Sequence, residues 1–217
     1  MGLVAKETGN GPSTPPIPPG MYQAVCVGIY DLGTQFSEKW KKMQHKVCIE
    51  WEVQEERVEI DGKSLPRSIR KQYTLSLGDK ANLRGDLEAW RGRPFTAGEL
   101  EGFDLFNIIG VNCYLNMIHQ PSADGSKVYA NIASLAPLRK SDKQIRPEGK
   151  TTVFSFADGQ LPGAEIPEWL RKQMAESEEY KAMTGAKPAH EEPAPPPYDD
   201  NDMPPFVAPN GQDELPF

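Results

Sequence analysis

Alternation of apolar and polar residues marks three strands in the first part of the chain. Residues 21–30 alternate with a period of two, which predicts a first strand. Residues 46–53 alternate more cleanly and predict a second strand that is buried on one side only. The turn signal of Asp61 and Gly62 follows. Residues 67–77 are therefore expected to return as a third strand, paired with the second as a hairpin.

The apolar period changes to that of a helix after the third strand. Leu83, Leu87 and Trp90 recur at helical spacing, which predicts a helix over residues 79–90 with Asp79 as its cap. A glycine at residue 92 is placed where such a helix usually ends.

Two further strands are predicted beyond this helix, over residues 111–118 and 128–135, with a turn at residues 121–125 between them. The expected fold is mainly β: a five-stranded OB-fold barrel with a helix between strands three and four. The sheet face and two long loops of such barrels bind oligonucleotides or oligosaccharides. Because fold alone does not establish function, the function must be argued from individual residues.

The C-terminal third of the chain combines a helix with a long polar tail. Residues 151–156 could add a strand, and apolar positions from residue 166 to Met183 predict one helix, with Pro167 in its first turn and Gly185 as its stop. Three side chains of this helix are expected to be buried against the barrel or a second subunit: Trp169, Leu170 and Met174.

Composition divides the chain into a Pro-rich arm (residues 1–20), the OB-fold domain (21–139), a basic connector with the C-terminal helix (140–184) and a disordered acidic tail (185–217). The net charge of −7 comes largely from the tail, where one Lys faces seven acids. Residues 21–150 hold 19 Lys and Arg against 17 Asp and Glu. The predicted domain is therefore slightly basic, and the overall acidity does not exclude a nucleic-acid partner.

Cysteine usage and hydropathy indicate the compartment. Cys26, Cys48 and Cys113 form no close pair, which indicates reduced core thiols. A zinc site that includes His119 is the alternative, although zinc ligands usually come as closely spaced pairs. The chain has no apolar run of the about 18 residues that a membrane span needs, and its start lacks a secretory pattern. A cytoplasmic protein without membrane association is expected.

Candidate DNA-binding chemistry is concentrated in the predicted loop over residues 34–45, where lysines interleave with aromatic residues. Cations suit phosphates and flat rings suit bases, the combination that single-strand binders use. A solvated loop with Trp40 tucked into the core is the alternative. With cations and rings from strand three and from the turn between strands four and five, the predicted DNA-binding set is Phe36, Lys39, Trp40, Lys41, Lys42, Lys46, Arg67, Arg70, Lys71, Tyr73, Lys127 and Tyr129.

Two alternatives stay open within this candidate site. Tyr73 shares its alternation with Ile69 and Leu75, which places it in the core, whereas a bulge would shift it to the binding face. The basic connector over residues 140–150 either extends the phosphate track or is a plain linker.

The tail carries two acidic motifs that end in an aromatic residue. They are expected to bind proteins through Asp199, Asp200, Asp202 and Phe206 and through Asp213, Glu214, Leu215, Pro216 and Phe217. An OB-type barrel followed by a Pro-rich linker and this terminal motif resembles the bacterial single-stranded DNA-binding proteins. Residues 28–35, 50–52 and 87–93 are similar to single-stranded DNA-binding proteins of tailed bacteriophages.

This resemblance implies a protein that coats and protects single-stranded DNA during replication, recombination and repair, with little sequence preference. It also implies that the terminal motif recruits replication and recombination proteins. The second, internal motif and the helix near Trp169 depart from the family, so its tetramer is not carried over and a homo-oligomer stays open. The acidic tail is expected to compete with DNA for the basic groove.

Catalytic signatures are missing from the sequence. It has no P-loop, no Gly-x-Ser-x-Gly, no His-Glu-x-x-His and no zinc-deaminase signature. Neither an enzyme activity nor a cofactor is therefore expected. The alternative function is an OB-fold adaptor of a replisome or recombination complex that binds only protein.

Overall fold

The structure is a computed structural model that describes residues 15–122 and 124–185, and its architecture is mainly β. The strands are β1 (Gly20–Ser37), β2 (Lys42–Ile60), β3 (Lys63–Thr74), β4 (Asn112–Pro121), β5 (Val128–Pro137) and β6 (Thr152–Phe154). The helices are α1 (Asn82–Arg91), α2 (Ala97–Glu101), α3 (Glu168–Met174) and α4 (Glu178–Thr184), with short 3₁₀ helices at Leu105–Ile108 and Phe156–Asp158.

The six strands form one sheet. Its hydrogen-bonded order is β3-β2-β1-β4-β5 with antiparallel neighbours, and β6 pairs in parallel with β1 over residues 28–30. Among the described residues, no backbone ladder joins β3 to β5, so the sheet is not closed. The predicted mainly β class is confirmed, and so is the helix between the third and fourth strands.

β1 and β2 extend well beyond their predicted ends. Thr34 pairs with His45 and the ladder continues to the end of β1, so residues 38–41 alone form the turn of a long β-hairpin. The prediction of a loop over residues 34–45 is therefore wrong. Two register shifts in β1, the second just before Gly33, interrupt the alternation from which strands are recognised in a sequence.

One face of the sheet, here called the inner face, packs against α1. Val47, Ile49 and Trp51 of β2 are buried there with Leu87 and Trp90 of the helix. The two indole rings lie 5.7 Å apart between centroids. Such apolar burial, at about 25 cal/mol per Å², is the main force that holds the helix on the sheet.

The bounds of α1 differ from the prediction at one end. The helix begins at Asn82, and Asp79 does not cap it, because the Asp79 carboxylate accepts a hydrogen bond from Arg84 Nη1 at 2.6 Å instead. The helix ends as predicted before Gly92, which adopts the left-handed conformation with φ of 67°.

The opposite, outer face of β1 and β2 is also buried. A second apolar cluster joins Tyr30, Leu32 and Cys48 of the two strands to residues 152–184, here called the C-terminal cover. Glu50 and Glu52 share this face and are only 6 % and 4 % exposed. The prediction that the second strand is buried on one side only is wrong, because the C-terminal cover and the segment just before it lie over its polar side.

The predicted single C-terminal helix is two short helices. Ser177 separates them: its hydroxyl donates to Met174 O at 2.7 Å and accepts from Tyr180 N at 3.2 Å, which caps α4. Leu170 and Met174 are fully buried against the sheet, as predicted. Trp169 is 48 % exposed and so is not buried against the sheet; its burial against a second subunit stays a prediction.

The three cysteines are free and buried, which confirms the prediction of core thiols. Burial raises the pKa of both Cys26 and Cys48 to about 12, so neither is a reactive thiolate at neutral pH. His119, the fourth ligand in the zinc alternative, is instead hydrogen-bonded to the backbone, with its Nε2 2.9 Å from Ile17 O. Residues 15–122 and 124–185 contain no cluster of three or more His, Cys, Asp or Glu side chains arranged to bind a metal.

Helix length and hydropathy also bear on membrane association. In the described part of the chain, every helix is too short or too polar to cross a bilayer.

Candidate functional site

A polar cleft of about 680 Å³ lies between the tip of the β1–β2 hairpin and the segment that joins β3 to α1. Lys42 and Lys46 share one side of β2 because residues of even spacing face the same way along a strand. Trp40 stands in the turn, and Lys80 belongs to the joining segment. These four residues define what we call the hairpin cleft. Its other lining residues are Gln44, Gln72, Tyr73, Thr74, Ser76, Gly78, Asp79, Ala81 and Asn82.

The indole of Trp40 is 61 % exposed, so the alternative that tucks it into the core is wrong. The turn is fixed by a hydrogen bond from Trp40 N to Ser37 O at 3.1 Å and by the left-handed backbone of Lys41. Lys39 Nζ lies 5.1 Å from the centre of the indole ring, a cation–π contact. The tip therefore presents a flat ring and a cation together to solvent.

Acidic side chains at the cleft and the hairpin tip are engaged by cations. Asp79 is bonded to Arg84, and Glu38 forms an ion pair with Lys41 at 2.5 Å. Within the described part of the chain, the three lysines of the hairpin cleft take part in no ion pair. The cleft therefore offers positive charge to a ligand.

A histidine cluster ties the hairpin to α4. His45 Nε2 lies 2.6 Å from Asp31 Oδ1, and His45 Nδ1 lies 3.8 Å from Glu179 Oε1. Glu179 also accepts hydrogen bonds from the backbone amide and hydroxyl of Thr34, at 2.6 and 2.7 Å. His45 directly precedes Lys46 on β2, so the hairpin that carries Trp40 is anchored beside a cation of the cleft.

The same cluster changes the protonation behaviour of its members. The hydrogen bond to Asp31 raises the pKa of His45, although burial opposes the shift. Burial alone would raise the pKa of Asp31, but hydrogen bonds from His45 and from two backbone amides outweigh it and hold that pKa below its usual value.

Arg70, which the sequence places in the DNA-binding set, is bound within the fold. Its Nη2 donates to Glu50 Oε1 at 2.5 Å, and its guanidinium lies 5.9 Å from the centre of the Trp169 ring. Tyr30 donates to the second oxygen of Glu50 at 2.7 Å. The arginine thus neutralises a buried carboxylate beneath the C-terminal cover.

Lys71 and Tyr73 are also engaged by the fold. Both donate to Asp86 Oδ2 of α1, at 2.6 and 2.7 Å, and Lys71 Nζ also donates to Ile132 O of β5 at 3.3 Å. Tyr73 belongs to the inner-face core, so of its two alternatives the structure has the core position. Its ring is therefore not available for base stacking.

The remaining predicted residues lie apart from the cleft lining. Arg67 is opposite Val53 in the β2–β3 ladder, seven residues before Thr74 at the cleft end of β3. Lys127 and Tyr129 are exposed at the turn between β4 and β5, as expected for the second loop. Phe36 lies on the hairpin opposite Met43 and is partly exposed. Residues 186–217, and with them every predicted protein-binding residue of the tail, lie outside the described residues.

Lys80 is a cleft residue that the sequence pattern does not identify. It falls inside the segment predicted to be helical, where it counts as one more solvated position. Because α1 begins only at Asn82, Lys80 belongs instead to the segment that lines the cleft.

Comparison with known proteins adds no assignment to this geometry. No protein-family model matches the chain, and no curated protein matches it.

Proposed function

We propose that the sheet and α1 form an OB-type barrel, and that the protein binds single-stranded DNA without strong sequence preference and without catalysis. β1 pairs with both β2 and β4, and α1 packs against β3 and β5 on either side of the open seam, an arrangement that supports this fold. The bond from Lys71 to the β5 backbone crosses the same seam.

The hairpin cleft is the observation that carries the proposal. An exposed indole beside unpaired lysines matches the two needs of a single strand, since bases stack on rings for about 1–3 kcal/mol each and cations replace the counterions of phosphates. A duplex hides the faces of its bases within its own stack. The cleft therefore favours single strands over duplex.

The part of the outer face around Tyr30, Leu32 and Cys48 is not offered to DNA, because the C-terminal cover occupies it. Five apolar side chains of the cover are buried, and burial of each contributes about 1.5–3 kcal/mol. Displacing the cover would expose all five to water, a gross cost on the order of 10 kcal/mol before the chain entropy that would be regained. The strand is therefore proposed to bind at the hairpin cleft, which lies beside the cover on the same face of β2 and β3. The five residues are Phe154, Phe156, Ile166, Leu170 and Met174.

The biological role proposed for this binding is the coating and protection of single-stranded DNA in replication, recombination and repair. It follows from the resemblance of the terminal motif, in which Asp213 and Glu214 precede Leu215, Pro216 and Phe217. In this proposal the motif recruits replication and recombination proteins.

Fluorescence anisotropy with labelled oligo-dT of about 20 nucleotides and with a matched duplex tests the DNA-binding role directly. We expect tight binding to the single strand, weaker binding to the duplex, and affinity that falls as salt rises from about 50 to 200 mM. If the protein binds neither probe, the DNA-binding role is wrong and the protein-only adaptor takes its place.

A further inference from the structure

The basic connector, residues 140–150, runs across the outside of the sheet without regular secondary structure, yet its backbone is held by side chains of three strands. Gln23 of β1 donates to Lys143 O at 2.8 Å, and Gln54 of β2 donates to Arg146 O at 2.6 Å. Asn112 of β4 both accepts from and donates to the backbone of residue 145, at 2.8 and 2.9 Å. A plain linker would not be expected to have its backbone held by so many side-chain hydrogen bonds.

The buried carboxylate of Glu52 fixes the far end of the connector. The two oxygens of Glu52 accept hydrogen bonds from the successive amides of Glu148 and Gly149, at 2.9 and 3.0 Å. Because Glu52 is almost fully buried, these two amides satisfy a charge that would otherwise be costly to bury. The path of the connector is therefore specified by the sheet beneath it.

The cations of the connector are left to solvent while its acids are engaged. Asp142 accepts from the hydroxyl of Tyr114 at 2.6 Å, and Glu148 forms an ion pair with Arg57 at 2.9 Å. Within residues 15–122 and 124–185, none of the four connector cations forms an ion pair. These exposed cations are Lys140, Lys143, Arg146 and Lys150.

A groove of about 940 Å³ opens beside these cations and is lined by Lys143 and Arg146 together with Gln54, Gly110, Gln144, Ile145 and Pro147. In an extended chain the two cations stand roughly 10 Å apart along the backbone. Their backbone is already ordered, so a ligand that binds here does not bear the entropy cost of ordering the segment.

We propose that this connector ridge, defined by Lys140, Lys143, Arg146 and Lys150, is a second phosphate-binding surface for the same DNA strand that occupies the hairpin cleft. The inference rests on the proposed function and extends it. The polar side chains that line the groove are amides and cations, and none of its lining residues is aromatic, so it holds the phosphate backbone and does not read bases.

The distance between the two surfaces sets the length of DNA that reaches both. Lys46 lines the cleft and Gln54 lines the groove, eight residues apart on β2. At about 3.3 Å per residue they are separated by ~26 Å along the strand. At about 3.4 Å per stacked nucleotide, that span takes roughly eight nucleotides. An oligo-dT of about 20 nucleotides therefore covers both surfaces, whereas one of about five nucleotides does not.

The double variant Lys143→Gln, Arg146→Gln tests the ridge in the full-length protein. Only the backbone carbonyls of these residues serve the fold, so we expect thermal stability to be retained. With the long oligo-dT, the slope of log K against log salt should become shallower by about 1.4, or 0.7 for each phosphate that is no longer neutralised. With the short oligo-dT, affinity should match that of the wild type.

A charge-matched control is the variant Lys172→Gln, Lys181→Gln, which removes two cations from the C-terminal cover and should leave the salt slope unchanged. An unchanged slope in the ridge variant, an equal change in the control, or an equal loss with the short oligo-dT would each overturn the ridge while leaving the proposed function standing. A wild-type protein that binds no DNA would overturn both.

Discussion

Arg70 shows how a residue that looks like a ligand contact can instead belong to the fold. Its guanidinium binds a carboxylate, Glu50, that is almost completely buried, and Tyr30 binds the other carboxylate oxygen. A buried charge is tolerated only when it is paired and hydrogen-bonded. Removing the arginine would therefore leave a buried charge without its cation.

We expect Arg70→Ala to lower the free energy of unfolding by about 2–3 kcal/mol, below the range for fully buried pairs because Arg70 is partly exposed. Urea denaturation measures the change. Arg67→Ala, on the same strand, is the control and should stay within about 0.5 kcal/mol of the wild type. DNA affinity should be retained in Arg70→Ala. Unchanged stability with weakened DNA binding would mean that Arg70 contacts phosphate after all.

His45, four residues from the turn of the hairpin, makes the stability of the fold depend on pH. Because its pKa is raised in the folded protein, protonated His45 contributes fully below its unfolded pKa of about 6.5, and that contribution is lost as the pH rises through the folded pKa. Urea denaturation over about pH 5–9 should therefore show a stability difference between wild type and His45→Gln that shrinks with rising pH. A difference that stays constant with pH would contradict this cluster.

At the scale of elements, alternation predicted the strands but could not predict how far they extend or what covers them. The bulges of β1 interrupt the pattern, and the pairing of residues 34–37 with 42–45 contains a single apolar pair, Phe36 opposite Met43, which is too little for a recognisable alternation. The polar face of β2 looks solvated in sequence. It is buried because Glu50 and Glu52 find Arg70 and the connector amides, partners that only the folded chain brings near.

The candidate site divides in the same way. The membership of Trp40, Lys42 and Lys46 in the site could be predicted. These residues lie at or near the tip of a hairpin, where a side chain stays exposed without any distant partner. The roles of Lys71 and Tyr73 could not be predicted, because Asp86 on α1 decides them. The role of a side chain is therefore hard to predict from one sequence when its partner is distant in the chain.

Gly33 lies in close contact with the start of α4. It has φ of 68°, and a Cβ there would lie 2.6 Å from the Cβ of Ser177. Gly62, in the β2–β3 turn, has a similar φ of 72° but open space around it. Both Ala variants bear the cost of a left-handed backbone, about 1–2 kcal/mol.

We expect Gly33→Ala to be destabilised more than Gly62→Ala in urea, because only Gly33→Ala also displaces the C-terminal cover. Gly62→Ala bears only the backbone cost, so the difference between the two variants measures the steric cost of the contact with α4. Equal losses of stability would show that the cover does not depend on this contact.

At the scale of the whole molecule, the sheet carries two basic surfaces separated by ~26 Å along β2. The hairpin cleft includes Lys42 and Lys46 at the start of β2, and the connector ridge lies beside Gln54 in the second half of the strand. The C-terminal cover packs on the outer face of β1 and β2. The net charge of −7 conceals this arrangement, since the acids of the tail outnumber its cations. Charge counted over the whole chain is therefore a poor guide to the partner of the folded part.

The central claim, that the hairpin cleft holds single-stranded DNA, is tested most directly by anisotropy titration of oligo-dT with wild type, Trp40→Ala and Trp169→Ala. Both tryptophans are exposed, but only Trp40 lines the cleft. Loss of one stacked base, about 1–3 kcal/mol, should weaken binding of Trp40→Ala about 5- to 150-fold, and Trp169→Ala should bind as the wild type does. Wild-type affinity in Trp40→Ala would contradict the account.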